Sequence, residues 1–425
     1  MQVFKFGGAS VKDADAVRNV GNILRFCKGK KTIVVVSAMG KVTNRLEELV
    51  NAYFFGRGDA GAVLAGIRAF HLEIAGQLFT DRKNPVFDEL ENIFVEISWA
   101  VEEPPAFSYD HHYDQIVCQG EMLSTKIISA YLNLEGIESR WVDARDVLQT
   151  DNTYREGRVD YDASAELVRR NLVPVLENGD MVVTQGFVGG TTENYSTTLG
   201  REGSDYTAAL LAFFTDADHV TIWKDVPGVM SAEPKVFRDA SKIDELSYHD
   251  AIELTYYGAT VIHPKTIKPL QNKNIPLYVR SFKDPAAKGT VVREQDQRVT
   301  VTSYILKESQ ILISIMPKDF SFIAEDNLGE IFLLFSKHHV HINLMQNSAL
   351  SFSVCVNDEV QKTLPLMEEL KEHFRVLYND KVKLLTIRNY DQNNLAKLTG
   401  DKEVLLEQRS RHTVQVVVRG DVTRF

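Results

Sequence analysis

The sequence is short of the features that mark several protein classes. Its 425 residues hold three cysteines, Cys27, Cys118 and Cys355. An odd number scattered so widely fits neither a disulfide framework nor a paired zinc motif, so reduced structural thiols and no resident metal are expected. No apolar run approaches the ~18 residues of a membrane span, and the strongest, Thr32 to Met39, is strand-sized. The N-terminus, Met1-Gln2-Val3-Phe4-Lys5-Phe6-Gly7-Gly8, has no basic segment followed by an apolar stretch, which argues against a secretory signal and for a cytoplasmic setting. Positive charge is in deficit, with 48 basic against 58 acidic side chains and a formal net charge of -10. Such a chain repels nucleic acid and anionic membranes at long range, so neither is expected as a partner. Ser, Gln or Pro-rich tracts are missing too, and with 44% hydrophobic and 25% charged residues the composition is that of a folded chain of two or three domains.

Periodicity then organises the chain. Gln2 to Phe6 and Thr32 to Ser37 are β-branched and aromatic runs, and Asp13 to Phe26 between them carries apolar residues at helical spacing. Asn84-Pro85 predicts a capped helix with Val86, Phe87, Leu90, Ile93, Phe94 and Ile97 on one face. Strands are predicted at Gln115 to Gln119, Ser139 to Val142, Met181 to Gln185 and His219 to Lys224. Helices are predicted at Met122 to Leu132, Ala163 to Leu176 and Asp205 to Phe214. This alternation implies an α/β domain, a mostly parallel sheet with helices on both faces. Ser281 to Arg298 is charged and poor in apolar residues, so one domain is expected over 1–285 and another region over 286–425. In the latter, Gln310 to Met316, Asn327 to Lys337, Val340 to Met345, Leu350 to Val356, Val360 to Phe374 and Val382 to Arg388 read as strand, helix, strand, strand, helix, strand. That order predicts an α+β module of about 305–388 with antiparallel pairing, and the strands near Glu403 to Gln408 and Thr413 to Arg419 predict a second, shortened one.

Four segments have the residue types for chemistry on a phosphate or a small acid. In Lys5-Phe6-Gly7-Gly8-Ala9-Ser10 a strand ends in an ammonium and two glycines, whose backbone can approach phosphate oxygens closely. An ordinary glycine turn explains this segment equally well. Neither a P-loop nor a Gly-x-Gly-x-x-Gly site occurs there. Leu199-Gly200-Arg201-Glu202-Gly203-Ser204-Asp205 runs into an apolar helix, where unpaired N–H groups favour an anion and Arg201 can grip a carboxylate bidentately. Ser204 or Asp205 would also serve as a plain N-cap. Gln119-Gly120-Glu121 opens another helix, where a carboxylate suits the dipole in any case. Ser37 to Asn44, with Thr43, is a further polar turn at a strand end. Glycine-rich loops on one side of a sheet favour a ligand crevice. His338, His339 and His341, and His111 and His112, lack a partner cluster with ligand spacing.

Taken in order, Lys5-Phe-Gly-Gly-Ala-Ser, Ser37 to Asn44, Gly120-Glu121, Gly186-Phe-Val-Gly, Leu199 to Asp205, Asp225-Val-Pro-Gly228 and Tyr257-Gly258-Ala259-Thr-Val-Ile-His263-Pro264 resemble the aspartate kinase family over essentially the whole chain. The resemblance implies an amino-acid kinase fold followed by C-terminal ACT domains. It implies transfer of phosphate from ATP, with Mg²⁺, to the side-chain carboxylate of L-aspartate, giving 4-phospho-L-aspartate, at the start of lysine, threonine and methionine biosynthesis. Lys5 and Asp205 would be catalytic, and Thr43, Glu121, Arg201 and Ser204 would bind aspartate. Lys5, Gly7, Gly8, Ser10, Lys224, Asp225, Met230, Lys235, Thr260 and Val261 would bind ATP. Asn327, Asn343, Gln346, Asn347 and Ser348 would form an effector site for an amino acid, lysine or threonine, and the ACT modules would make a homodimer or higher assembly.

The chain departs from the family's usual residues at Ala9, Glu202, Lys224, Met230, Glu233, Lys235 and Thr260, which stand for Thr, Gly, Thr, Tyr, Asp, Arg and Lys. Asn343 and Ala349 replace carboxylates that lysine-sensitive members commonly carry. Two rivals remain at this point: a kinase of the same fold acting on glutamate or N-acetylglutamate, and a catalytically silent amino-acid sensor. A dehydrogenase fusion is not expected, since no dinucleotide loop is present.

Overall fold

Short β-branched runs alternating with amphipathic helices have to bury both faces of a sheet, and the computed structural model of the protein does so. It describes every residue except 28, 180, 260–261, 296–300, 320, 392–394, 396–397, 401 and 421–425. The chain divides into two compact units, one of residues 1–229, 244–252 and 260–298 and one of 230–243, 253–259 and 299–425.

In chain order the first unit carries β1 (Gln2–Phe6), α1 (Ala14–Arg25), β2 (Thr32–Val36), α2 (Val42–Phe55), α3 (Ala60–Leu78), α4 (Pro85–Glu102), α5 (Tyr109–Val117), α6 (Gln119–Leu134) and β3 (Arg140–Trp141). There follow α7 (Tyr161–Leu167), α8 (Val173–Glu177), β4 (Met181–Gln185), the hairpin β5 (Val188–Gly190) and β6 (Ser196–Thr198), α9 (Gly203–Phe214), β7 (His219–Lys224) and β8 (Glu245–Leu246). Then come α10 (Tyr248–Tyr257), of which the residues from Glu253 group with the second unit, α11 (Pro264–Asn272), β9 (Leu277–Ser281) and β10 (Thr290–Val292). Eight strands form one sheet in the order β3-β4-β2-β1-β7-β9-β10-β8. All its pairings are parallel except β9 with β10. β1, β2 and β4 are buried at every position, as strands covered on both faces must be, and β1 carries Lys5 into that interior. Caps set the helix starts: Asp13 Oδ1 accepts from Ala16 N–H at 2.8 Å, and Asn84 Oδ1 from Val86 N–H at 3.1 Å ahead of Pro85.

Three expectations are corrected. Gln115 to Gln119 is no strand: Ser108 caps α5, and Tyr113, Ile116 and Val117 are buried along that helix at helical spacing. Ala163 to Leu176 is broken by a π turn at Val168–Leu172, next to Pro174, which has no N–H for the regular ladder. The first unit continues past 285 to 298, because β10 pairs with β9 and with β8.

The second unit holds a six-stranded sheet of β11 (Ser303–Pro317), β12 (Ile342–Asn347), β13 (Phe352–Asn357), β14 (Phe374–Arg388), β15 (Glu403–Arg409) and β16 (Thr413–Arg419), with α12 (Glu325–Lys337) and α13 (Val360–His373). Its order is β12-β13-β11-β14-β16-β15, antiparallel throughout. β11 and β14 are each 15 residues long, longer than the expected strands, because each serves both halves of the sheet. The pairing register shifts between Lys307 and Gln310, where Ser309 and, opposite, Lys381 take left-handed backbone at φ 52 and 54. The first half, closed by Gln310–Pro317 and Phe374–Val382, has the strand order of the expected α+β module. The second half borrows Ser303–Lys307 as its fourth strand and packs Ala232 and Phe237, from 230–243, against Leu385, Ile387, Val414, Val416 and Val418. An apolar segment from earlier in the chain thus covers a face of this shortened module.

Candidate active site

The crevice lies at the carboxyl ends of the first unit's parallel strands, where loops after β1, β2, β4 and β7 meet the N-termini of α2, α6 and α9. Parallel sheets place ligand sites there. Its volume is about 890 Å³, and its lining includes Lys5, Gly7, Gly8, Ser10, Thr43, Glu121, Arg201, Ser204, Lys224 and Asp225. Close backbone approach builds it. A Cβ on Gly8 would stand 2.7 Å from the Gly40 carbonyl oxygen, and one on Gly186 would stand 2.5 Å from Ser204 Cβ. Both glycines are therefore demanded by the packing of one loop or helix end on another, whatever ligand they also serve.

Lys5 and Asp205 meet at the centre. Lys5 Nζ is 2.6 Å from Asp205 Oδ1, with the side chains 10% and 1% exposed. Burial pushes the Asp205 carboxyl upward, but the Lys5 and then the Lys224 ammonium outweigh it and hold the group well below the usual carboxylate range. Asp205 is not a cap. The residue that opens α9 is Glu202, whose carbonyl accepts from the N–H groups of Asp205 and Tyr206, while the Asp205 side chain turns inward to Lys5. Lys224 Nζ is 3.4 Å from Asp205 Oδ2 and 3.6 Å from Glu202 Oε2. Burial lowers the Lys224 ammonium, but Asp205 and Glu202 together raise it, so it stays charged.

Glu121 is buried where α6 begins. Its Oε1 accepts from Ala38 N–H at 3.1 Å, and its Oε2 makes no hydrogen bond among the described residues. Burial raises its pKa to about 8, the Ala38 N–H and Lys5 opposing the shift. A buried carboxylate oxygen without a protein donor is a strong acceptor for a cationic group brought in by a ligand. Ser204 donates nothing to the helix end; Ser37 Oγ donates to Ser204 Oγ at 2.9 Å, tying the β2 loop to α9. Arg201 is exposed at the rim and forms no ion pair among the described residues, and Thr43 is half-buried on the first turn of α2. An acid, an arginine and small hydroxyls thus surround the same space. Ser10 Oγ is engaged with the Trp223 carbonyl at 3.2 Å, so it ties the β1 loop to β7.

The sequence reading missed one wall. Asp114 Oδ2 accepts from Arg155 N–H and Thr198 N–H at 2.9 Å each, and its Oδ1 from Thr198 Oγ1 at 2.7 Å. This buried acid fixes the loop that carries Arg155, whose guanidinium lies 4.4 Å over the Tyr113 ring at the crevice edge. No local spacing links 114, 155 and 198, so nothing in the one-dimensional pattern marks them. Of the nucleotide residues expected, Met230 and Lys235 belong to the second unit and are not among those lining the crevice. Thr260 and Val261 lie outside the described residues.

The amino acid kinase family matches residues 1–281. The lysine-sensitive aspartokinase 3 of Escherichia coli K12 is 32% identical over 411 residues, spanning 95% of this chain and 89% of that protein. The chain belongs to the aspartokinase family. Crystal structures of E. coli aspartokinase III, one with lysine and aspartate and one with aspartate and ADP, superpose with TM-scores of 0.84 and 0.82 at 29% identity, covering 99% of this chain and 96% of theirs. A chloroplastic bifunctional aspartokinase/homoserine dehydrogenase 2 of Arabidopsis thaliana is 32% identical over 298 residues, which is 68% of this chain and 32% of that longer protein.

As an aspartokinase-family chain it should depend on the buried pair at its centre. Asp205→Asn leaves the Lys5 ammonium short of a counter-charge without removing any helix cap. Turnover should fall at least ~100-fold and stability by about 3 kcal/mol. Lys5→Met should do the same to turnover. Near-wild-type turnover in either variant, in enzyme whose thermal melt shows a folded chain, would remove the pair from the reaction.

Proposed function

We propose that the chain transfers the γ-phosphoryl group of ATP to the side-chain carboxylate of L-aspartate, giving 4-phospho-L-aspartate at the entry to lysine, threonine and methionine synthesis. The observation that carries this reading is the convergence of Lys5, Arg201 and the unpaired Glu121 oxygen on one crevice. The acceptor has one ammonium and two carboxylates. Glu121 answers the ammonium, Arg201 and the hydroxyls of Thr43 and Ser204 answer one carboxylate, and the other is left directed at the phosphates. An N-acylated acid has no ammonium for Glu121, and a silent sensor has no need of a buried Lys5–Asp205 pair.

The attacking carboxylate is ionised at neutral pH, so no general base is required. What the residues do is position and neutralise. Lys5 faces the charge that grows on the γ-phosphoryl oxygens, the N–H groups of Gly7 and Gly8 supply donors, and Asp205 keeps Lys5 charged and in place. Lys224 adds a second ammonium, and Asp225 stands at the rim. Asp205 offers the hard oxygen donor that Mg²⁺ prefers, and the ion, when bound with nucleotide, neutralises phosphate charge. A cytoplasmic setting fits soluble substrates of this kind.

Regulation belongs to the second unit, read as ACT-type modules. Asn343 is committed there: its Nδ2 donates to Gln310 Oε1 and Asn357 Oδ1 at 2.8 Å, and its Oδ1 accepts from Lys307 Nζ at 2.8 Å. Asn327 Oδ1 accepts from Ala324 N–H at the start of α12, whereas Gln346, Asn347 and Ser348 are exposed. A lysine ligand would have to displace the chain's own ammonium from Asn343; a neutral amino acid such as threonine faces no such contest. Phe322, Leu333, Met345 and Leu350 leave apolar surface exposed on this unit, in keeping with a homodimer through it.

Three measurements test the reading. A panel of aspartate, glutamate and N-acetylglutamate with ATP and Mg²⁺, scored for ADP release, should show aspartate preferred; equal or better turnover of another acid overturns the assignment. Glu121 binds the ammonium in its ionised form, so raising pH from 6.5 to 8.5 should lower the KM for aspartate roughly tenfold, and Glu121→Gln should flatten that profile. Calorimetric titration should find lysine weaker than millimolar; micromolar binding would contradict the account of Asn343.

A further inference from the structure

Glu202 lines the crevice and has no part in the reaction just described. Its backbone is left-handed, at φ 56, a conformation that glycine adopts without strain and a residue with a side chain does not. Although it opens α9, its side chain makes no capping hydrogen bond. The side chain therefore serves neither the helix nor its own backbone. It reaches across to Lys224, the last residue of β7, whose ammonium stands between Glu202 at 3.6 Å and Asp205 at 3.4 Å.

Asp205 alone is a shared anchor, since its other oxygen is held more tightly by Lys5 at 2.6 Å. An ammonium on a flexible four-carbon stem needs a second acceptor to be fixed in one place. We propose that Glu202 is a positioning residue that seats the Lys224 ammonium against Asp205, so that Glu202 and Lys224 act as one unit in binding the phosphates of the nucleotide. This rests on the nucleotide-kinase reading above. A lone acid in a phosphate crevice repels its ligand; paired with Lys224 it adds no net charge and directs a cation instead. Burial raises the Glu202 carboxyl, Lys224 opposes that rise and the neighbouring Asp205 carboxyl adds to it, so Glu202 answers both ends of the Lys224–Asp205 contact seen in the distances.

The consequence is coupling. Removing Lys224 alone leaves Glu202 as an uncompensated negative charge facing phosphate, and removing Glu202 as well lifts that penalty. A cycle of Lys224→Met, Glu202→Gln and the double variant, made in the full chain, tests it. MgADP affinity is measured by calorimetry, and kcat and the two KM values by ADP release. We expect Lys224→Met to weaken MgADP about 30-fold and Glu202→Gln about fivefold. The double variant should lose only about tenfold, far from the product of the two. The effect should fall more heavily on the KM for MgATP than on kcat or the KM for the acceptor, and Lys224→Arg should restore most of the affinity. A double variant within about threefold of the product, or a Glu202→Gln change seen only as a lower melting temperature, overturns the proposal while leaving the kinase reading intact. Wild-type protein that binds no MgADP overturns both.

Discussion

The Lys5–Asp205 pair is the constraint around which the first unit is arranged. Two opposite charges taken out of water are tolerated only when each has the other at close range and further groups satisfy what is left. Lys5 is held from one side by β1, the central strand between β2 and β7, and Asp205 from the other by the first turn of α9. For the two to meet, the start of α9 must press against the end of β4, and that approach leaves no room for a side chain at Gly186. The hydroxyl bridge from Ser37 to Ser204 and the tie from Ser10 to the Trp223 carbonyl then fix the β2 and β1 loops to the same place. A large part of the polar structure of the crevice follows from keeping one ammonium charged where phosphate would arrive.

The charges at the centre of the crevice are balanced before any ligand enters. Lys5 and Lys224 face Asp205 and Glu202, two positive charges against two negative ones. A site built of lysines alone would attract polyphosphate strongly but would also strain the fold through repulsion between buried ammonium groups. The acids remove that repulsion and keep the cations in fixed positions, at the cost of weaker long-range attraction. For a chain with a net charge of -10, local organisation of this kind has to supply the affinity that overall charge does not. Glu121 stands apart from this balance: among the described residues no cation pairs with its buried carboxylate, and burial is the largest influence on its pKa.

Much of this was legible in one dimension, for identifiable reasons. β1, β2, β4 and β7 are short runs rich in β-branched and aromatic residues, and the α4 cap is read directly from Asn84. The crevice residues Lys5, Glu121, Arg201, Ser204 and Asp205 sit at strand ends and helix starts, where motif and element coincide. What stayed hidden depends on contacts between distant segments. Ile116 and Val117 look like strand residues until Ser108 is known to cap, and Tyr113 to share, the same helix. The wall formed by Asp114, Arg155 and Thr198 joins three segments with no shared spacing. The 230–243 segment reads as part of the first domain by position, yet Ala232 and Phe237 find their apolar partners on β14 and β16.

The second unit shows why a module can look shortened in sequence without being incomplete in space. A strand of 15 residues costs little to extend once a sheet exists, because the added residues continue the ladder of hydrogen bonds with the strand already beside them. The left-handed residues at Ser309 and Lys381 let β11 and β14 change register midway, so that Ser303–Lys307 and Val382–Arg388 belong to the second half while their continuations belong to the first. Two halves that share two strands cannot twist independently. The Lys307–Asn343–Gln310–Asn357 cluster lies at that register change, with Lys307 on one side of the shift and Gln310 on the other. A ligand that rearranged Asn343 would therefore act on the hydrogen bonds that hold the two halves in register, and that gives an amino-acid effector a physical handle on the whole sheet rather than on one loop.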